Sequence, residues 1–144
     1  MNHDTFFVGF AVSMLFHELT GLYPGGIVVP AFLALHAGQP FRLAGTLAMA
    51  SLGFLLYRLL SRHIIAFGSR RFFLTVSISA LIVMGAAEFL PALLPGAPDA
   101  RAVGIVVPGL LANSCERQGY ATTMAATGIA TALVFLAARL LALL

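Results

Sequence analysis

The chain is 144 residues long, 60% hydrophobic and only 9% charged, with a mean hydropathy of +1.01. An ordinary soluble domain carries roughly 25% charged residues. So few charges cannot cover a water-exposed surface, which makes a soluble enzyme, a disordered chain and a nucleic-acid-binding domain poor fits. The formal charge of +3 comes from eight arginines against five acids, with no lysine. The arginines fall at the ends of apolar segments, where they set topology and meet lipid headgroups.

The first apolar segment runs from Thr5 to about Leu22 and carries His17-Glu18 near its end. Met1-Asn2-His3-Asp4 lacks a basic n-region and no small-residue cleavage site follows, so this segment is expected to stay as a membrane helix. A Gly/Pro break, Gly21 to Gly26, leads to a second segment, Gly26 to about Ala37, too short for a straight crossing. The third segment spans about Leu43 to Leu60 and is followed by the most basic stretch, which holds Arg62, His63, Arg70 and Arg71. Phe72 to about Leu90 forms the fourth segment, with Glu88 near its end. Pro91 to Arg101 holds three prolines and a glycine and reads as a loop. Ala102 to about Asn113 is again short, Cys115 to Gly119 follows, and Tyr120 to Leu143 is the sixth segment.

The two short segments share a sequence. Gly26-Ile-Val-Val-Pro30 recurs as Gly104-Ile-Val-Val-Pro108, and Leu33-Ala34 recurs as Leu111-Ala112 at the same offset of 78. Each copy lies between two long apolar segments, which is the hydropathy signature of an internal duplication. The expected fold is all-α integral membrane: four long transmembrane helices plus two short Pro/Gly-broken segments, in two long–short–long repeats. One membrane domain is expected over 1–144, with repeat one at about 5–60 and repeat two at about 72–143.

Proline biases the residue before it toward extended backbone and is tolerated at a helix start. Ile-Val-Val before Pro30 and Pro108 is therefore predicted to be extended, with a short helix beginning at each proline. Extended backbone within lipid leaves amides unpaired at several kcal/mol each, so it must be buried in protein or line a watery cavity. Each helix start then carries about +0.5 of a charge inside the membrane and favours an anion. The competing reading is close packing, with Gly25, Gly26, Gly104 and Gly109 admitting a neighbouring backbone.

Four extended residues at ~3.3 Å plus eight helical ones at ~1.5 Å reach about 25 Å. A short segment of that reach either crosses as a broken helix or dips in and returns. With the 58–71 loop placed inside by the positive-inside rule, both topologies put five arginines inside and three outside. Crossing is the preferred reading. It makes the repeats inverted and places Glu116-Arg117-Gln118 at the cytoplasmic face.

Intramembrane charge is a functional signal, although charges at segment ends also snorkel to the interface. Arg117 with Gln118, just after the second short segment, is the leading candidate for contacting an anion, and Arg42 is the weaker equivalent after the first. Glu18 is read equally as a site residue or an interfacial anchor, and Glu88 as an interface residue. Thr123, Thr127 and Thr131 share one helix face and are read as close-packing residues rather than a pore stripe. His3, His17, His36 and His63 show no metal-ligand spacing. No P-loop, nucleophile elbow or zinc motif is present, and the single cysteine, Cys115, forms no intramolecular disulfide.

Gly21-Leu-Tyr-Pro-Gly-Gly-Ile-Val-Val-Pro-Ala-Phe-Leu-Ala-Leu35 with Gln39-Pro40 resembles the first signature of the PgsC/CapC family, the membrane subunit of bacterial poly-γ-glutamate synthase. Gly104-Ile-Val-Val-Pro-Gly-Leu-Leu-Ala-Asn113, closing with Arg117-Gln118-Gly119, resembles its second. Glu18, Thr20 and Gly21 resemble the family's acidic lead-in, and Gly68 with Arg70-Arg71 its basic loop. Leu19 and Glu116 depart from the pattern. The resemblance implies a subunit of the bacterial cytoplasmic membrane that is not catalytic on its own. It implies partnership with an ATP-dependent, Mur-ligase-like subunit of the PgsB/CapB type, where ATP and magnesium are expected. A membrane-anchored extracellular subunit of the PgsA/CapA type is a further implied partner, and the product is an anionic polymer bound for capsule or release. Polymer-path candidates are Gly26, Pro30, Gly104, Pro108, Gly109, Asn113, Arg117, Gln118 and Glu18. Arg62, Arg70 and Arg71 are the candidates for ligase docking. An independent small anion transporter or channel and a purely structural anchor stand as alternatives.

Overall fold

The computed structural model describes residues 3–65, 67–93 and 103–143. These form six helices: α1 (His3–Thr20), α2 (Val28–Leu35), α3 (Pro40–Leu60), α4 (Ser69–Leu93), α5 (Val107–Gln118) and α6 (Tyr120–Leu141). Three of them, α3, α4 and α6, are long and apolar enough to cross a membrane. The apolar stretch of α1, Phe6–Thr20, is shorter. At ~1.5 Å per residue α2 and α5 reach only about 12 and 18 Å, well short of the ~30 Å hydrocarbon layer.

Several boundaries differ from the sequence expectation. α1 stops at Thr20 because Gly21 turns left-handed (φ +67°) and its N–H bonds back to the His17 carbonyl at 2.8 Å. Ile-Val-Val is not extended: Ile27 already has φ −67° and ψ −29°, and Val28 and Val29 are helical. Both helices start ahead of their proline. The first N–H groups of a helix have no intrahelical acceptor, so proline in the first turn removes no bond. The breaks lie earlier, at glycines with positive φ: Gly25 (79°) and Gly26 (94°) before α2, and Gly104 (73°) before α5. α4 continues through Pro91 to Leu93, where a loop was expected. Only the last turn is affected, so little of the hydrogen-bond ladder is lost. The remainder of that linker, 94–102 with Arg101, lies outside the described residues. α5 extends beyond Asn113 to include Arg117 and Gln118.

The described chain forms two compact units, residues 1–38 with 114–144, and residues 39–113. In the first, α1 packs on α2 and on α6, and α2 packs on α6. Phe16 is buried against Ala126 and Ala130. Gly9 lets α1 approach closely, since a Cβ there would sit 2.8 Å from the Ala31 Cβ and 3.1 Å from the Val134 Cγ1. In the second, α3 packs on α4. A Cβ at Gly53 would overlap the Ser79 hydroxyl, and one at Gly109 would lie 2.9 Å from the Val76 Cα. α3 buries Thr46, Ala50, Gly53 and Tyr57 along one face, and α6 buries Thr123, Ala126, Thr127, Ala130 and Val134 along one face.

Hydroxyl residues share the interior with apolar ones. Ser13, Thr46, Thr75, Ser79, Thr123 and Thr127 are fully buried alongside Val29, Leu111 and Val134, while Leu15, Leu55, Leu59, Phe73, Leu81, Phe89 and Leu136 are exposed. Small and hydroxyl residues inside allow helices to approach in lipid, where burying leucine gains nothing. Thr46, Thr75, Thr123 and Thr127 each donate to the carbonyl four residues back, which satisfies the hydroxyl without breaking the helix.

Candidate functional site

The richest polar constellation lies in the first unit, where the end of α1, the turn into α2, the end of α5 and the start of α6 meet. After Gly21 the chain runs through Leu22 and Tyr23 without secondary structure, so its amides need partners from elsewhere. Gln118 supplies them. The Tyr23 N–H donates to Gln118 Oε1 at 2.9 Å, and Gln118 Nε2 donates to the Tyr23 carbonyl, so one primary amide pairs with both groups of one residue. Nε2 also donates to Thr123 Oγ1 at 3.1 Å, and Thr123 in turn donates to the Gly119 carbonyl at 2.8 Å. Gly119, at φ +98°, provides the sharp break that lets α6 begin two residues after Gln118.

The same turn carries charge. The Arg117 guanidinium lies 5.0 Å from the centroid of the Tyr23 ring, a cation–π distance, and the His17 ring is 4.2 Å from that centroid. His17 is oriented by its Nδ1–H, which donates to the Leu22 carbonyl at 3.0 Å; only this tautomer suits a carbonyl acceptor. Arg117 and Glu18 are exposed and Gln118 is half-buried. A cation anchored on an aromatic face keeps its N–H fork free for a carboxylate or phosphate. Among the described residues, no group of three or more His, Cys, Asp or Glu is placed to hold a metal ion.

The sequence-predicted residues divide between the two units. Glu18, Gly26, Pro30, Arg117 and Gln118 belong to the first, with Pro30 buried and Gly26 partly exposed. Gly104, Pro108, Gly109 and Asn113 belong to the second. There Pro108 and Gly109 are buried, and Gly109 packs on Val76 and Ser79 of α4. The stretch before α5 is held differently from the one before α2: the Val103 N–H donates to Thr46 Oγ1 at 2.8 Å. Arg62 and Arg70 are exposed and Arg71 is partly buried. Tyr23 was not singled out in the sequence, and Thr123 was read only as packing. Nothing local marks either, because the Tyr23–Gln118 pair spans 95 residues.

The family described as "Capsule biosynthesis CapC" matches residues 8–124. The chain belongs to the CapC family. This CapC-family chain is 34% identical over 122 residues to the "PGA biosynthesis protein CapC" of Bacillus subtilis (strain 168), covering 83% of this chain and 81% of that protein. It is 32% identical over 121 residues to the "Capsule biosynthesis protein CapC" of Bacillus anthracis, again covering 83% and 81%. No solved structure matches it. Both family signatures read in the sequence lie within the matched span, and so does the Tyr23–Gln118–Thr123 network.

Proposed function

We propose that this CapC-family chain is the membrane subunit of a poly-γ-glutamate synthase complex. It docks a cytoplasmic ATP-dependent amide ligase and supports synthesis and outward passage of the anionic polymer. Family membership carries the reading, because relatives matched over most of their length are named for capsule and PGA biosynthesis. The chemistry of the chain agrees with it. Arg117 offers an anchored guanidinium to a carboxylate chain, and the pairing of Gln118 with Tyr23 fixes the surface on which it rests. ATP and magnesium belong to the ligase, where acyl-phosphate formation activates the γ-carboxylate, and an extracellular membrane-anchored subunit receives the product.

The recurring Gly-Ile-Val-Val-Pro, whose positive-φ glycines Gly26 and Gly104 lie 78 residues apart, supports a duplication in which α1, α2 and α3 correspond to α4, α5 and α6. Under that correspondence each compact unit joins the first elements of one repeat to the long third helix of the other. α1 is then the fourth crossing, and the repeats are inverted only where α2 and α5, with the chain before them, also pass through the bilayer.

The test is co-expression with the ligase and the extracellular subunit, measuring polymer and co-purification. Arg117→Ala is expected to lower polymer at least about tenfold while leaving the complex assembled, since one charge-assisted contact to a carboxylate is worth about 1.5–3 kcal/mol. Wild-type polymer from Arg117→Ala and from Pro108→Ala would remove the polymer-path role. Anion flux through liposomes holding this chain alone would favour an independent channel.

A further inference from the structure

The turn between α3 and α4, with the helix ends beside it, concentrates positive charge for which no ion-pair partner is found among the described residues. Arg58, Arg62 and Arg70 are exposed there, and Arg71 is partly buried with its Nε–H enclosed and lacking a hydrogen-bond partner. No acidic residue occurs between Glu18 and Glu88. Glu88 lies on α4, 17 residues beyond Arg71, or about 25 Å along the helix. The charges also sit at the wrong helix end. The Phe72 N–H bonds the Gly68 carbonyl, so Arg70 and Arg71 occupy the first turn of α4, which holds no acid. The helix dipole and the free N–H groups of that turn favour an anion, and the chain places two cations there instead. An anion from outside the chain relieves the dipole and pairs with the exposed Arg70 and Arg62 beside it.

Three observations select the source of that anion. The turn spans only residues 61–68, and it joins two packed helices that are each long enough to cross the hydrocarbon layer, so it lies within the headgroup region. It carries Ile65, 83% exposed, and Phe67, 80% exposed, among these arginines. Leu59 and Phe73, on the adjoining helix ends, are also exposed. Arginines reaching polar headgroups while neighbouring apolar side chains enter the acyl boundary is the pattern of an interfacial anchor. We propose that the α3–α4 turn binds anionic lipid: Arg62, Arg70 and Arg71 hold the headgroup phosphodiester at the start of α4, while Ile65 and Phe67 insert beside it. This takes precedence over reading the same arginines as a ligase-docking patch.

The chain has no tryptophan, so Phe67→Trp introduces a single fluorescent reporter at the turn. The full-length variant is reconstituted in nanodiscs with a fixed fraction of brominated phosphatidylglycerol or brominated phosphatidylcholine. Blue-shifted emission is expected in both, with quenching about twofold stronger by the anionic lipid, the sense in which a polybasic surface enriches its counter-charge. In the Arg70→Gln/Arg71→Gln background the two lipids should quench equally. Arg139→Gln, at the far end of α6, should keep the difference. Water-like emission or equal quenching in the parent overturns the proposal, and needs no second variant to do so. So does a spectrum that shifts only when the purified ligase is added, which would assign the turn to a protein partner.

Discussion

Gln118 makes the most consequential single-residue contact, because its amide satisfies both backbone groups of Tyr23. Replacement by glutamate removes the two donors that serve the Tyr23 carbonyl and Thr123, and adds a second acceptor where none is needed. Gln118→Glu is therefore expected to be destabilising by about 1–3 kcal/mol, the usual cost of an orphaned polar group. Thermal unfolding in detergent measures it. Because Arg117 rests on the Tyr23 ring, the same variant should also lower polymer yield, whereas Arg117→Ala should leave the melting temperature nearly unchanged. That contrast separates the residue that holds the turn from the one proposed to meet the anion. At Gly9 and Gly109 no such split arises. A Cβ at either enters backbone or side-chain atoms of the neighbouring helix, so Gly109→Val is expected to cost about 1–3 kcal/mol or more by overpacking.

Among the helices, the two short ones show how proline acts. The sequence was right that a break precedes each short helix, but the proline does not make it. Pro30 and Pro108 sit within the first turn, and the chain bends at Gly26 and Gly104. Gly104→Ala is expected to cost about 1–2 kcal/mol from its left-handed φ alone, since an added Cβ meets nothing nearer than the Val107 Cγ2 at 3.7 Å. Pro108→Ala loses no hydrogen bond, but it leaves a void at a fully buried site and loosens the unfolded chain, so it is expected to cost about 1–2 kcal/mol. A polymer defect in Pro108→Ala therefore reports on function only where thermal unfolding shows the variant still folded at the assay temperature. Pro91→Ala, inside the last turn of α4, should leave stability the same or slightly raised. A loop beginning at residue 91 would give no such gain in helicity.

At the scale of the described molecule, three helices are long and apolar enough to cross a membrane, and small and hydroxyl residues share the interior with Val29, Leu111 and Val134 while many leucines and phenylalanines face outward, the packing pattern expected of helices in lipid. Cys115 provides a direct reading of that packing because it is 1% exposed and is the single cysteine. Maleimide labelling of the native protein in detergent should be at least about tenfold slower than after denaturation in dodecyl sulfate, as expected for a thiol released only when its surroundings open. Fast labelling of the native state would mean that α5 is not enclosed as described.

Composition and the lengths of the apolar segments alone pointed to a helical chain able to cross a membrane, because a charge fraction of 9% leaves little polar surface for water, and three of the helices have the length and apolarity that this requires. The recurring Gly-Ile-Val-Val-Pro located both short helices, and the two signatures around it pointed to the CapC family. Arg117 and Gln118 were also legible, as polar residues at a segment end. Their division of labour was not. That Gln118 closes the turn at Tyr23, while Arg117 rests on its ring, depends on side chains 95 residues apart meeting. The packing of α6 with α1 and α2, and of α3 with α4, likewise came only from the folded chain. Local dihedral preferences and solvent partition act over a few residues and so are written in sequence order. Which distant amide satisfies an unpaired backbone is set by packing, and packing exists only once the helices are in contact.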